Sequence, residues 1–341
     1  MILLKEIFFH LKNIYNIKDR MDNLNYSLPW IEKYRPKNID EIMSHTQNID
    51  TIKKLLENES LPHLLFHGSP GTGKTSMILT IAKKIYGKNM RLMVMKLDAS
   101  DDRGINSVRD DIKGFAEKTN MFQKGIKLII LDEVDAMTFD AQFALRRIIE
   151  IYSESVRFCL ICNYENKIIP AIRSRCANFR FSNIDNKNVS FKLDQIIEKE
   201  KLNCDDGVSN TIAKISKGDL RKAINLLQSV SMNSNNISNE ICYESSGIPS
   251  SEIVSKILII LLDNNIEFNE CYKIVYEKII SQGYSLSIFL KELILEIINS
   301  DQLKNMAQII IDLADLENMV VKSTFGIIYI TALVGLFKKN I

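Results

Sequence analysis

An α/β domain on a parallel sheet, then a helical lid and an all-helical segment, is the architecture this sequence predicts, and three observations predict it. A glycine-rich loop at 68–75 lies between an apolar run and a helical pattern. Two further apolar runs, Lys127–Leu131 and Phe158–Cys162, end in polar residues, Asp132-Glu133 and Asn163. Past residue 240 the apolar residues recur at helical spacing over Ile253–Leu262, Cys271–Ile280, Leu286–Ile298, Gln302–Leu313 and Phe325–Phe337, with no strand-like alternation.

The composition bounds the alternatives. At 341 residues the chain has room for two or three domains, and 46% hydrophobic with 25% charged residues is ordinary for a globular protein. The formal charge of +2 supplies no chain-wide field, so any nucleic-acid binding needs a local basic patch. The six cysteines lack the spacing of a disulfide framework, which suggests a reducing compartment. Cys159 and Cys162 form a CxxC inside an apolar run, with no second pair and no nearby histidine, so buried strand thiols are expected rather than a zinc site. No apolar run reaches the ~18 residues of a membrane span, and Phe325–Phe337 reads as a buried helix, so no membrane association is expected.

Taken in order, residues 1–26 place Leu4, Ile7, Phe8, Leu11 and Ile14 on one helical stripe. Lys5 and Glu6 interrupt any signal-peptide core, and Glu6 and Asp19 argue against a transit peptide. This segment is a disordered extension, a functional helix, or a stretch upstream of the working start, with Met21 just ahead of the first motif.

The loop reads Gly68-Ser69-Pro70-Gly71-Thr72-Gly73-Lys74-Thr75-Ser76, and three of the chain's 13 glycines fall inside it. Such glycines let successive N–H groups turn inward around a phosphate. Lys74 then reaches the β/γ oxygens, and Thr75 offers a hydroxyl to Mg²⁺ at a positive helix N-terminus. Ile78, Ile81, Ala82 and Ile85 follow at helical spacing, ending at Gly87. An acid at the C-terminal end of a buried parallel strand lies where phosphates sit, so Asp132 is a Mg²⁺ ligand through water and Glu133 polarises the attacking water, whereas Asp135 is structural. Asn163, at the end of the third run, is placed to hydrogen-bond the water or the γ-phosphate. The implied ligands are ATP and Mg²⁺. A helicase would need a second ATPase-like α/β domain, and the helical C-terminal half offers none.

Further blocks carry a resemblance. Leu28-Pro29-Trp30-Ile31-Glu32-Lys33-Tyr34-Arg35-Pro36, Tyr86-Gly87-Lys88-Asn89, Leu97-Asp98-Ala99-Ser100-Asp101-Asp102-Arg103-Gly104, Ser174-Arg175-Cys176 and Gly218-Asp219-Leu220-Arg221-Lys222 occur in an order that resembles the AAA+ clamp-loader ATPases, the small subunits of replication factor C, over residues 28 to about 232. The resemblance implies an α/β AAA+ P-loop ATPase domain with a helical lid and an all-α collar. Its divisions are 27–182 for the nucleotide domain, 183–231 for the lid, 232–240 for a linker and 241–341 for the oligomerisation collar. It implies that Ile31, Arg35 and Met43 lie on the adenine side, that Arg221 is a sensor on the chain's own ATP, and that Arg175 is a finger acting in trans on a neighbour's γ-phosphate. Arg173 is left as a surface or interface charge. Arg103, Arg109 and Lys167 correspond to residues that follow duplex phosphates, and Phe115–Gly125 to a clamp-facing surface. The function implied is that of an ATPase subunit of a nuclear, heteropentameric sliding-clamp loader. Its partners would be the other loader subunits, the sliding clamp and primer–template DNA, in replication and repair. The alternative is a scaffold subunit that binds ATP without hydrolysing it, against which the intact Lys74, Thr75, Asp132 and Glu133 speak.

Overall fold

The computed structural model describes residues 28–42, 44–58, 61–99, 104–117, 125–263, 265–280, 282–299, 306–323 and 328–340, with the side chains of 104–109, 306 and 340 outside the description. Two compact units emerge, one formed by Met1–Lys201 with Ile212–Gln228, the other by Leu202–Thr211 with Ser229–Ile341.

The first unit is organised by a five-stranded sheet of β1 (Leu64–Gly68), β2 (Val94–Asp98), β3 (Lys127–Asp132), β4 (Val156–Cys162) and β5 (Ala177–Phe181), in the order β2-β3-β4-β1-β5. Every pairing is parallel. The inner strands are apolar on both faces, as a parallel sheet covered by helices on both sides requires. Leu64, Phe66, Leu128, Ile130, Cys159 and Ile161 pack with Ile49 and Ile52 of helix α1 (Thr46–Glu57) and with Ile78 and Ile81 of α2 (Lys74–Tyr86). On the opposite face Leu65, Ile129, Leu131, Phe158, Leu160 and Cys162 pack with Ile112 of α3 (Gly104–Glu117) and with Leu145 and Ile149 of α4 (Phe139–Ile151). The period of two along β4 therefore sends Cys159 and Cys162 to opposite faces, so the CxxC cannot converge on one metal ion.

Sequence periodicity identifies three strands where the sheet has five. The two missed, β2 and β5, are its edges. Such strands are half-exposed and short: in β5 only Phe179 and Phe181 are buried while Asn178 and Arg180 face solvent. In α2 the expected stripe holds for Ile78, Ile81 and Ala82, but Ile85 is 41% exposed.

The lid contributes α5 (Asn186–Glu200), α6 (Val208–Ser216) and α7 (Leu220–Asn233). Ala223, Leu226, Leu227 and Val230 form the buried stripe of α7, as their spacing predicts. That helix runs on to Asn233 and the next begins at Asn239, so the irregular stretch between them is shorter than the polar sequence suggests.

In the second unit, helices Ser251–Leu262, Phe268–Ile280, Leu286–Asn299, Met306–Lys322 and Ile328–Asn340 share one apolar core. The fourth extends well past Leu313, because Ile309, Leu313, Leu316 and Val320 continue one buried stripe through intervening acids. No single helix among the described residues is long and apolar enough to cross a membrane.

Candidate active site

Gly68 closes β1 with φ 137°, and a Cβ there would lie 2.0 Å from the carbonyl oxygen of Phe181 on β5. Only glycine lets the chain leave the sheet at this point. Gly71, at φ 69°, leaves no more room: its Cβ would meet Asp219 Oδ1 at 1.7 Å. That carboxylate accepts from Lys222 N at 3.0 Å, capping α7, and Leu220 N donates to the Gly71 carbonyl at 3.3 Å. The loop and the lid helix thus touch backbone to backbone. Gly73, at φ 95°, turns the chain into α2.

Lys74, at the first position of α2, is 7% exposed. Its ammonium donates to the carbonyls of Gly68 (2.6 Å) and Ser69 (2.8 Å) and to Asn163 Oδ1 (3.0 Å). Burial lowers its pKa below the ordinary lysine value, with Asp132 and Asp135 among the groups opposing that shift. A desolvated cation at a helix N-terminus suits an anion. Thr75 Oγ1 donates to Asp132 Oδ2 at 3.1 Å, and Lys96 Nζ lies 3.6 Å from the same oxygen.

Glu133 follows in the left-handed region at φ 55°, ψ 38°. For a residue with a Cβ this costs on the order of 1–2 kcal/mol, and it leaves the side chain exposed at the strand end. Asp135 accepts from the backbone N–H groups of Asn163 (3.2 Å) and Tyr164 (3.1 Å). It therefore fixes the end of β4 so that the Asn163 amide meets Lys74.

Around these groups lies a cleft of about 290 Å³. Its floor is Pro70–Ser76 with Asp132, Glu133 and Asn163, and Ile31, Arg35 and Arg221 line its walls. The predicted nucleotide residues therefore converge, with Gly68 and Ser69 contributing through their bonds to Lys74. Met43, Arg103 and the side chain of Arg109 lie outside the described residues, as do residues 118–124. Lys167 is exposed, its ammonium 5.1 Å from the centre of the Tyr164 ring. Arg175 does not line the cleft: one guanidinium nitrogen is 2.6 Å from Glu150 Oε1 and another donates to the Ala171 carbonyl at 2.7 Å. Arg173 lies 3.6 Å from Glu165, whose other oxygen is 3.5 Å from His67.

Sequence reasoning missed Tyr34, Asn188 and Lys192, which also line the cleft. Lys192 had a signal. It falls on the stripe of Val189 and Ile196, where α5 is otherwise apolar, and burial lowers its pKa. A cation on the inner face of an amphipathic helix requires a reason.

A phosphate loop, an acid pair closing one strand, a polar amide closing the next and a lid arginine over the same cleft define a P-loop ATPase of the AAA+ class. Residues 64–183 match the ATPase family associated with various cellular activities (AAA), and residues 192–232 match the RCF1/5-like, AAA+ ATPase lid domain. Probable replication factor C subunit 5 of Dictyostelium discoideum is 43% identical over 318 residues, covering 92% of this chain and 91% of that protein. Human replication factor C subunit 5 is 40% identical (92% of each chain), and subunit 3 of Saccharomyces cerevisiae 39% (92% of this chain, 94% of that one). The chain belongs to the replication factor C subunits, AAA+ clamp-loader ATPases of DNA replication that work within a multi-subunit complex. Among solved structures, the Thermotoga maritima RuvB Holliday junction branch migration motor superposes with a TM-score of 0.50 at 18% identity, covering 76% of this chain and 90% of that one, a likeness of fold.

Proposed function

We propose that this chain hydrolyses ATP at the cleft above the phosphate loop and, as one subunit of a nuclear hetero-oligomeric loader, uses that cycle to open a sliding clamp and place it on primer–template DNA during replication and repair. The observation that carries the reading is the convergence of Lys74, Asn163, Thr75 and Asp132 through hydrogen bonds of 3.0 and 3.1 Å at the ends of three neighbouring strands. Lys74 binds the β/γ-phosphates, Glu133 orients and deprotonates the attacking water, and Asn163 holds both the lysine and that water. Arg221 and Arg35 approach the nucleotide from lid and base sides. The residues fit Mg²⁺: Thr75 and Asp132 are hard oxygen donors beside the phosphate site, and the ion would offset phosphate charge there. Residues 27–182 act as the nucleotide domain, 183–231 as the lid, 232–240 as the linker and 241–341 as the collar.

Arg103, Arg109 and Lys167 are assigned to the DNA backbone. Such contacts read duplex shape rather than sequence, in keeping with a chain whose formal charge is only +2. In the assembled complex, Arg103→Ala, Arg109→Ala and Lys167→Ala should each weaken primer–template binding alike across sequences. Each should also reduce the magnitude of the log K against log salt slope by about 1. Binding isotherms at several salt concentrations measure this, and an unchanged slope in all three variants would remove the assignment.

A further inference from the structure

The segment 28–36 supplies Ile31, Tyr34, Arg35 and Pro36 to the cleft, yet it has little of its own to hold it there. Its one turn of helix, Trp30–Lys33, contains no buried residue, and a helix that short does not persist by itself. Hydrogen bonds tie it to the lid. Trp30 N donates to Gln228 Oε1 at 3.0 Å, Lys33 Nζ to Glu200 Oε1 at 2.6 Å, and Tyr34 OH to the same oxygen at 2.5 Å. Trp30 packs edge-on against Tyr34 at 6.4 Å, and the ammonium groups of Lys33 and Lys199 lie 5.6 and 5.8 Å from the Tyr34 ring centre.

We propose that Glu200 is a positioning residue that latches this segment onto the lid and so sets the base-side wall of the nucleotide cleft. The latch rests on the reading that the cleft holds ATP. Glu200 is the last residue of α5, where a negative charge opposes the helix dipole, so its placement does not serve the helix. The same helix carries Asn188 and Lys192 into the cleft, which places wall and latch on one rigid element. The side chains of Lys33 and Glu200 are only 26% and 19% exposed, so the pair is better shielded than an ordinary surface ion pair. Burial raises the carboxyl's pKa, but the bonds from Lys33 and Tyr34 outweigh it and hold Glu200 below its ordinary value. Removing the carboxylate takes away an acceptor shared by a half-buried hydroxyl and a half-buried ammonium. The segment then loses its strongest tie, and nucleotide leaves more easily.

Trp30 is the chain's single tryptophan, so its fluorescence reports this segment alone. The test uses the full chain, acrylamide quenching of Trp30 and stopped-flow release of a fluorescent ATP analogue. Glu200→Ala should make Trp30 more quenchable and speed analogue release roughly tenfold, as expected for loss of a charge-assisted bond in a partly buried site. Glu200→Gln, which keeps an acceptor for Tyr34 without the charge, should fall between. Lys33→Met combined with Glu200→Ala should add less than the sum of the single effects. Should Glu200→Ala fail to fold, Tyr34→Phe removes only the hydroxyl and carries the same two readouts. Unchanged Trp30 quenching, or greater quenching with unchanged release, overturns the latch. Lys74→Ala separates the two levels: analogue binding that survives it would remove the cleft as the ATP site, and the latch with it, whatever Trp30 shows.

Discussion

Arg175→Ala should leave ATP affinity at this chain's own site nearly unchanged and lower turnover at the neighbouring subunit by roughly 10³ to 10⁵, the range that arginine fingers contribute to phosphoryl transfer. The geometry supports the first half. Arg175 is absent from the cleft lining, while Lys74, Thr75 and Arg221 remain to hold the nucleotide. Its partner Glu150 is also bonded by Arg146 at 3.1 Å, so the finger rests on a carboxylate already shared with a second cation. Such a contact, with both groups more than a third exposed, is weak enough to exchange for a neighbour's phosphate. Arg173, paired with Glu165, should matter little when replaced by alanine. Single-turnover rates in two complexes, one able to hydrolyse only at this subunit and the other only at its neighbour, separate the roles. Loss confined to this subunit's own site would contradict action in trans.

The other large effect belongs to Lys74→Ala, which should weaken ATP binding by roughly a hundredfold or more, since charge-assisted bonds to phosphate are among the strongest polar contacts. In the structure this ammonium also joins Gly68, Ser69 and Asn163. Its loss therefore loosens the loop before any nucleotide arrives. Equilibrium titration with labelled ATP measures the loss. Affinity within a factor of a few of the parent's would place the phosphates elsewhere.

The floor of the cleft was legible because each part of it demands an unusual residue. Glycines at positive φ, a lysine at a helix start and acids or an amide ending apolar strands all leave marks in sequence. The lid's grip was not. Glu200 and Tyr34 lie 166 positions apart, and the approach of Asp219 to Gly71 joins loop and lid across a similar distance. Neither contact follows from local spacing. The edge strands β2 and β5 escaped for another reason: a strand with one neighbour buries too little to show an apolar run. Arg175 was recognised as special only by resemblance, since nothing in the local sequence distinguishes it from Arg173.

On the proposed function, this subunit's own site turns over ATP with Glu133 as the base. The most direct measurement is single-turnover hydrolysis by a complex in which only this site is competent, comparing the parent with Glu133→Gln. Replacing the carboxylate by an amide preserves shape and removes basicity. ATP affinity should stay close to the parent's while the rate falls by roughly 10² to 10⁴, the usual contribution of a general base. Hydrolysis at the parent's rate with Glu133→Gln would contradict it.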